Sequence, residues 1–134
     1  MAITYKNTHD FREEDLRDLF LSVEWSSGHY PDRLVTAMQN YETVFTAWDG
    51  DALAGLICAM DDGIMTAYIH YLLVAPAYQH QGIGGTLVEM VKEKYKDYLR
   101  VFLIAYDDEA GFYDRLGFAK AEGKSMMQIT KLWT

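Results

Sequence analysis

A glycine-rich turn, Gln79 to Gly85, carries the residue types and spacing that point most directly to chemistry in this chain. An apolar, β-branched and aromatic run from Tyr68 to Val74 leads into the turn, and an amphipathic helix pattern follows from Thr86 to about residue 98. A strand, a glycine turn and a helix N-terminus together bind anions, because unpaired backbone N–H groups and the positive end of the helix dipole meet there. Glycine also lets a phosphate come closer to the backbone than a Cβ would allow. The turn therefore predicts pyrophosphate binding by the main chain rather than by lysine.

The spacing of the glycines separates this turn from two other phosphate-binding motifs. A dinucleotide fingerprint would need glycine three residues after Gly84, where the chain has Leu87. A Walker-type loop would need Gly-Lys-Ser/Thr at the start of the helix, and the first lysine after the turn is Lys92. The pattern that does fit is Gln/Arg-x-x-Gly-x-Gly/Ala, here at positions 79, 82 and 84, preceded by Val-x-Pro at positions 74–76.

A second motif lies downstream, where residues 111–118 read Gly-Phe-Tyr-Asp-Arg-Leu-Gly-Phe. Through the glycine turn and this segment, which matches Phe-Tyr-x-x-x-Gly-Phe, the chain resembles the GCN5-related N-acetyltransferase (GNAT) superfamily. The two motifs stand in the family's order and distance. The resemblance is tight over residues 68–85 and 112–118, and elsewhere it is one of layout. It implies a transferase that uses acetyl-CoA as its co-substrate.

The resemblance implies that acetyl-CoA binds along the end of the strand and around the turn. Main-chain groups of the strand would bond the pantetheine amides like an added strand, and the turn would wrap the pyrophosphate, with Gly84 leaving room for phosphate. Without the resemblance, the strand residues read as core and the turn as a flexible loop. Three glycines at a helix start, where glycine lowers helix propensity, favour the functional role. The implied cofactor-binding residues are Leu72, Leu73, Val74, Gln79, His80, Gln81, Gly82, Ile83, Gly84, Gly85 and Thr86.

Tyr113, in the second motif, is the candidate general acid. The CoA thiolate that acyl transfer releases must be protonated, and a tyrosine with a pKa near 10 can donate that proton if its hydroxyl lies within hydrogen-bond reach. The family places a tyrosine here for this task, and Phe112-Tyr113 matches it. The alternative is an aromatic helix residue packed in the core, which is the expected role of Phe112.

His70 is the candidate general base. An amine acceptor arrives protonated, with a pKa near 10, so a group in the site must remove its proton. Members of the family often use Glu or Asp on the strand before the turn, but Tyr68–Leu72 contains no carboxylate, and His70 is its only group that titrates near neutral pH. A structural histidine with a proton relay through ordered water stays open. The chain also has Tyr106 where the family often has an asparagine, so that CoA contact is not carried over.

Aromatic residues cluster at a break between the first two predicted helices, where the resembling fold lines its acceptor pocket. Trp25, His29 and Tyr30 are the candidate substrate-binding residues, because aromatic rings can hold a cationic or apolar amine by stacking and cation–π contact. Core packing is at least as strong an interpretation for Trp25 and for the nearby Tyr41.

Composition and charge limit the classes of partner. The 134 residues carry 12 basic and 20 acidic side chains, a net charge of −8, which argues against nucleic acid because a phosphate footprint needs a basic stripe. An acidic surface would attract a cationic amine, although acidity that only serves solubility is commoner.

The longest apolar run, residues 53–60, is too short for a membrane span, and no metal is expected because the histidines and acids lack ligand spacing. The lone Cys58 and the absence of a signal-peptide pattern favour the cytoplasm.

The elements that must position these residues form an α+β pattern, read as a single domain, 1–134. The predicted order β-α-α-β-β-β-α-β-α-β gives a mixed, largely antiparallel sheet flanked by helices, ending in a βαβ half. We expect Asp10 to cap the first helix, Asp107 or Asp108 to cap the last, Gly117 to end the last as its C′ residue, and Met126–Leu132 to form the final strand. This is also the GNAT layout, in which the βαβ half binds acetyl-CoA between strands that splay apart. The small bacterial-type members that it resembles suggest a homodimer.

These expectations combine into one activity, the transfer of an acetyl group from acetyl-CoA to a primary amine of a small molecule or peptide by direct attack in a ternary complex. A non-catalytic acyl-CoA-binding sensor or interaction domain is the alternative, because the strand lacks the usual carboxylate. A nucleotide-phosphate binder of another fold is the third.

Overall fold

One five-stranded sheet organises residues 2–134, the part of the chain that the computed structural model describes. The strands are β1 (Ile3–Asn7), β2 (Thr43–Asp49), β3 (Ala52–Asp61), β4 (Thr66–Val74) and β5 (Arg100–Leu103), and the helices are α1 (Glu13–Ser22), α2 (Pro31–Asn40), α3 (Ile83–Lys94) and α4 (Ala110–Arg115). The spatial order of the strands follows the chain. Neighbours pair antiparallel from β1 to β4, whereas β4 and β5 are parallel because α3 carries the chain back between them. The predicted α+β class with a mixed sheet is confirmed.

Helices cover both faces of the sheet, and β3 shows why. Leu56 and Cys58 pack against α1 and α2, while Ile57 and Ala59 pack against α3, and all four are fully buried. Successive strand residues point to opposite faces, so a continuous apolar strand indicates a sheet buried on both sides. Within residues 2–134, no helix has the length and apolar character needed to cross a membrane.

Helix α3 begins at Ile83, three residues before the predicted start at Thr86, and ends at Lys94. Ile83 is buried, so its packing outweighs the poor helix propensity of the two glycines that follow it. Gly82 occupies the cap position with φ +84°, a left-handed conformation that glycine adopts without steric cost. The earlier start places the whole glycine run at the helix N-terminus.

Helix α4 ends as predicted, with Gly117 at the C′ position and φ +93°. The N–H of Gly117 donates to the carbonyl of Asp114, and the N–H of Phe118 donates to the carbonyl of Tyr113, both at 3.1 Å. The Phe118 ring packs back onto Tyr113 with 5.9 Å between centroids. This Schellman arrangement fixes the last turn of α4 and, with it, the position of Tyr113.

The predicted final strand, Met126–Leu132, is wrong. Residues 119–134 form no helix or strand, and all of their side chains are exposed. A strand needs a neighbour to bond its backbone, and none of the five strands of the sheet pairs with this segment. Only its end returns to the body of the protein, where Thr134 Oγ1 accepts from the N–H of Ser26 at 2.7 Å.

Both predicted N-caps are also wrong. Arg12 holds the cap position of α1, and the N–H of Asp10 instead donates to Thr8 Oγ1. Glu109 holds the cap position of α4, because a short 3₁₀ turn over Asp107–Glu109 intervenes. Neither helix has a side-chain cap bond, so packing rather than capping sets where each begins.

Candidate active site

A β-bulge in β4 sets the direction of the side chains around His70. Cys58 pairs with Tyr71 and Ala59 pairs with Ile69, so His70 is an extra residue without a partner on β3. A bulge of this kind shifts the alternation by one residue, and His70 and Tyr71 therefore share the face covered by α1 and α2. Their rings lie 4.0 Å apart and nearly parallel, at 18°.

The other side of β4 is open beyond the bulge. The parallel ladder with β5 ends at the pair Ile69↔Leu103, although β4 itself continues to Val74. Residues 70–74 thus have no strand partner on the β5 side within the described chain. Backbone groups on such an edge can pair with an extended ligand as they would with another strand. Leu72, Leu73 and Val74, the strand residues implied to bind the cofactor, lie on this open stretch.

Two side chains hold the turn that follows β4. Gln79 Nε2 donates to the carbonyl of Val74 at 2.9 Å, and Tyr78 Oη donates to Asp49 Oδ2 at 2.8 Å. Gln79, expected to contact the cofactor, thus closes the turn onto the end of β4. His80 adopts a left-handed conformation with φ +64°, unusual for a residue with a Cβ. The backbone of the turn is therefore held in a defined and partly strained path.

Four backbone N–H groups at the start of α3 have no acceptor among residues 2–134. They belong to Gly82, Ile83, Gly84 and Gly85, and the first helical bond runs from the N–H of Thr86 to the carbonyl of Gly82 at 3.0 Å. The Thr86 hydroxyl donates to that same carbonyl at 3.0 Å. These N–H groups and the positive end of the helix dipole are the features on which the predicted anion site depends.

The three glycines of the turn serve different purposes. A Cβ on Gly84 would lie 3.3 Å from Phe112 Cζ and 3.9 Å from Val74 Cγ2, so this glycine lets α3 pack against α4. The expectation that Gly84 also makes room for phosphate stays a prediction. A Cβ on Gly82 or on Gly85 would meet no atom within 4 Å, so there is open space beside these two residues.

Tyr113 presents a free hydroxyl on a half-buried ring. The ring is wedged between Phe112 and Phe118, with centroids 5.0 and 5.9 Å away. Its hydroxyl has no hydrogen-bond partner among the described residues, and since no buried side-chain oxygen or nitrogen there lacks a partner, this oxygen reaches solvent. Burial, and to a smaller extent the charge of Glu109, raises the pKa of Tyr113 to about 12. The hydroxyl is therefore protonated at neutral pH, and because its pKa lies above that of a thiol, it is a weaker proton donor to a thiolate than an unperturbed tyrosine would be.

His70 is held by tyrosines. Its Nδ1 forms a hydrogen bond with the hydroxyl of Tyr41, and its ring stacks on Tyr68 at 5.6 Å as well as on Tyr71. Nε2 has no partner within the described chain, and part of the side chain is exposed. Loss of solvent around the ring lowers the pKa of His70 below its usual value. The imidazole is thus neutral at pH 7 and can accept a proton, as a general base requires.

The three candidate substrate-binding residues do not come together. Trp25 is half-buried and packs 5.9 Å from Tyr71, which connects it to the surroundings of His70. His29 instead packs against Trp133 at 5.3 Å, and exposed Tyr30 lies under the guanidinium of Arg33 at 5.2 Å.

Sequence reasoning missed Tyr68 and Tyr71, and it did not assign Tyr41. These residues, with Trp25, form an aromatic wall around His70. The run of aromatics from Tyr68 to Tyr71 was a usable signal, but strict alternation would have put Tyr71 on the opposite face from His70. Only the bulge reverses that assignment.

A separate cleft of about 550 Å³ lies at the start of α1. Its lining includes Lys6, Asp15 and Trp48, none of which belongs to the open edge of β4 or to the glycine turn. We place the site at the turn rather than in this cleft, because unpartnered backbone groups are found there. No group of three or more His, Cys, Asp or Glu side chains suited to a metal ion occurs within residues 2–134.

Comparison with known proteins assigns this arrangement to a family. A family model described as "Acetyltransferase (GNAT) domain" matches residues 7–128. The structure resembles the GNAT-family acetyltransferase SP0256 of Streptococcus pneumoniae TIGR4, with a TM-score of 0.83, 30% identity, and coverage of 97% of this chain and 99% of that chain. The chain therefore belongs to the GNAT acetyltransferase family.

Two further comparisons show proteins that this chain resembles. Protein SA2161 of meticillin-resistant Staphylococcus aureus has a TM-score of 0.82 at 21% identity, with 96% of this chain and 99% of that chain covered, and shows the shared fold. The Arabidopsis thaliana protein "GCN5-related N-acetyltransferase 3, chloroplastic" is 27% identical over 122 residues, or 89% of this chain. The chain spans about half of that relative's length, 51%.

Proposed function

We propose that this protein transfers an acetyl group from acetyl-CoA to a primary amine of a small molecule or peptide, by direct attack in a ternary complex. One observation carries the proposal. The open edge of β4 at residues 70–74 leads, through the turn that follows, to the four N–H groups of residues 82–85 that have no acceptor among the described residues. An extended pantetheine arm suits the first and a pyrophosphate suits the second. Family membership supports acetyl-CoA as the donor.

In this reaction the protein mainly positions the two substrates and transfers protons. The acceptor ammonium must lose two protons, one before it can attack and one as the amide forms. The amine nitrogen forms a bond to the thioester carbonyl carbon, the C–S bond breaks, and one proton reaches the sulfur. His70, neutral at pH 7, takes one proton from the nitrogen directly or through water while solvent takes the other, and Tyr113, which keeps its proton at neutral pH, supplies the proton of the sulfur. A backbone N–H on the open edge of β4 would polarise the carbonyl.

The class of acceptor follows from the surroundings of His70. The partly exposed rings of Trp25, Tyr68 and Tyr71 near His70 offer aromatic faces, and the chain carries a net charge of −8. Both features favour a cationic amine, through cation–π contact and long-range attraction. We therefore expect an acceptor that carries an aliphatic ammonium group beside an apolar portion.

Two measurements on the full chain test the proposal. CoA should raise the melting temperature by mass action, and acetyl-CoA with a panel of amines should release free thiol, with the acetylated product found by mass spectrometry. Cys58 should not interfere with thiol detection, because it is fully buried and burial raises its pKa to about 12. If CoA binds but no amine in the panel is acetylated, the result favours the alternative, an acyl-CoA-binding sensor, over an acetyltransferase. If CoA does not bind, the site assignment is wrong.

One observation favours the alternative, an acyl-CoA-binding sensor without efficient chemistry. β4 carries no carboxylate near the bulge, and one of the two nitrogens of His70 is already engaged by Tyr41. In a sensor, the substitution His70→Gln would leave the CoA affinity unchanged, and there would be no turnover to lose. In an acetyltransferase, the same substitution would lower turnover while CoA affinity is retained.

We also propose that residues 1–134 act as one domain in the cytoplasm and associate as a homodimer. The support for the dimer is apolar surface at the β5 edge of the sheet, where Phe102 and Ile104 are exposed, together with exposed Ile129 and Trp133 in the C-terminal segment. Light scattering of the full chain tests the dimer, and Ile129→Lys should shift it toward monomer. A monomer over the whole accessible concentration range would contradict the proposal. Cell fractionation tests the compartment.

A further inference from the structure

One side-chain hydrogen bond attaches the glycine turn to the hairpin between β2 and β3. Tyr78, in the short 3₁₀ turn Pro76–Tyr78, donates from its hydroxyl to Oδ2 of Asp49 at 2.8 Å. Asp49 is the last residue of β2 and pairs with Ala52, the first residue of β3. The bond therefore connects the segment that leads into the anion site with a hairpin that lies 29 residues earlier in the chain.

Two other bonds hold the start of the turn, and both act where β3 and β4 meet. The N–H of Ala75 donates to the carbonyl of Ala54 at 2.8 Å, and Gln79 Nε2 donates to the carbonyl of Val74 at 2.9 Å. These bonds fix the end of β4. The bond from Tyr78 adds a connection in another direction, across to β2.

The backbone between Gln79 and Ile83 has a conformation that its surroundings must impose. His80 has φ +64° and Gly82 has φ +84°, so two left-handed residues lie within three positions. A residue with a Cβ keeps such a conformation only where the rest of the structure requires it. Burial of Ile83 fixes the end of this segment, and the bonds made by Tyr78 and Gln79 fix its start.

The bond between Tyr78 and Asp49 is well suited to hold the turn. A hydrogen bond to an ionised carboxylate is stronger than one between neutral groups. The bond also raises the pKa of Tyr78, so the hydroxyl keeps its proton and remains the donor at neutral pH. The Tyr78 ring packs against the buried cluster on the α3 face of the sheet, which holds the side chain in place independently of its hydroxyl.

We infer that Tyr78 and Asp49 are positioning residues for the cofactor: their hydrogen bond holds the turn in the conformation in which the N–H groups of residues 82–85 bind one pyrophosphate together. These groups have no acceptor among residues 2–134. When only a fraction of the molecules has its donors in the binding geometry, the apparent affinity falls by that fraction. For the identity of the ligand, this inference rests on the proposed function.

CoA binding by Tyr78→Phe tests the inference. The substitution removes the hydroxyl and keeps the ring. Tyr98→Phe is the matched control, because the Tyr98 hydroxyl donates to Asp61 Oδ1, at 3.4 Å, at the opposite end of β3. We expect CoA affinity to fall by up to about tenfold in Tyr78→Phe, the change that a hydrogen bond to a charged group can impose on the competent fraction. Tyr98→Phe should bind CoA as the wild type does.

Pantetheine separates positioning of the anion site from a general loss of structure. It has the arm that would pair with β4, but it has no pyrophosphate. NMR titration of the full chain follows this weaker ligand as well as CoA. Tyr78→Phe should bind CoA less tightly and leave the affinity for pantetheine unchanged. Equal losses for the two ligands, or no loss for CoA, overturn the inference.

Substitutions of Asp49 test the same bond from its acceptor. Asp49→Asn keeps an oxygen that can accept from Tyr78 and should retain most of the CoA affinity, whereas Asp49→Ala should match Tyr78→Phe. The double variant Tyr78→Phe/Asp49→Ala should lose no more affinity than either single variant, because all three lack one and the same bond. Additive losses, or a loss in Asp49→Asn as large as in Asp49→Ala, overturn the inference while CoA binding by the wild type still supports the proposed function. A wild-type protein that binds no CoA rejects both.

Discussion

A glutamate at position 85 should stabilise the protein and abolish CoA binding at the same time. Gly85 lies in the first turn of α3, with an unpartnered N–H, and a Cβ there would meet no atom within 4 Å. Replacing glycine by a better helix former contributes about 0.5–1 kcal/mol, and a negative charge beside the positive end of the helix dipole adds about 0.3–1 kcal/mol. The sum, about 0.8–2 kcal/mol, corresponds to a rise in melting temperature of about 3–7 °C for a chain of this size.

The same carboxylate competes with a pyrophosphate for the free N–H groups of residues 82–85. Juxtaposed like charges cost several kcal/mol, so we expect CoA affinity to fall by about 100-fold or more. Gly85→Gln is the matched control, because it has the same size and a similar helix propensity but no charge. It should raise the melting temperature by less than the glutamate and retain much more of the affinity.

Thermal unfolding with and without CoA measures both effects in one experiment. A variant that is more stable alone and no longer responds to CoA cannot be explained by loss of fold. The reasoning is refuted if Gly85→Glu keeps the wild-type response to CoA, because the anion site would then lie elsewhere. A lower melting temperature of the unliganded Gly85→Glu variant would show instead that the space beside Gly85 is not free.

Three further predictions concern single side chains. Tyr113→Phe should reduce turnover by roughly 10²-fold with CoA affinity within a few-fold, whereas parallel losses of affinity and stability would identify Tyr113 as a packing residue. Because burial lowers the pKa of His70, the acidic limb of the rate profile should lie below the histidine reference of about 6.5 and disappear in His70→Gln, and identical profiles for the two proteins would exclude the histidine. Asp62 Oδ1 accepts from the N–H groups of Ile64, Met65 and Thr66, which lowers its pKa. Its carboxylate therefore stabilises the fold above the unfolded pKa of about 3.9 and loses that effect as pH falls through the folded value, so Asp62→Ala should melt lower than wild type near pH 7, and the two should converge in acid. A constant difference across that range would contradict this account.

The sequence allowed the fold class and the glycine turn to be predicted, since both depend on local patterns. Strand and helix periodicities gave the order of the elements up to α4, and the spacing of Gln79, Gly82 and Gly84 distinguished the turn from other phosphate loops. Gly117 was identified as a helix terminator because a left-handed C′ residue is a local requirement. Patterns of this kind are readable because the interacting groups are close in sequence.

The surroundings of His70 could not be predicted, because they depend on contacts between distant residues. Tyr41 and His70 are separated by 29 positions, and only the packing of α2 on the sheet brings them together. The start of α3 was misplaced for a related reason, since burial of Ile83 outweighs the poor helix propensity of the glycines after it. The missing final strand shows the converse, a segment with strand propensity that finds no partner in the sheet.

The bulge at His70 connects the two halves of the candidate site. The ladder between β4 and β5 ends at Ile69, and the next residue is the one that the bulge inserts. Since a bulge bends its strand and increases the local twist, the same irregularity that turns His70 and Tyr71 to one face also carries the end of β4 away from β5. The open edge for the pantetheine arm and the placement of the candidate base would then have a single local cause. Straightening β4, by deleting His70, should close the edge and remove the base together, so loss of CoA binding and loss of turnover should not be separable in that variant.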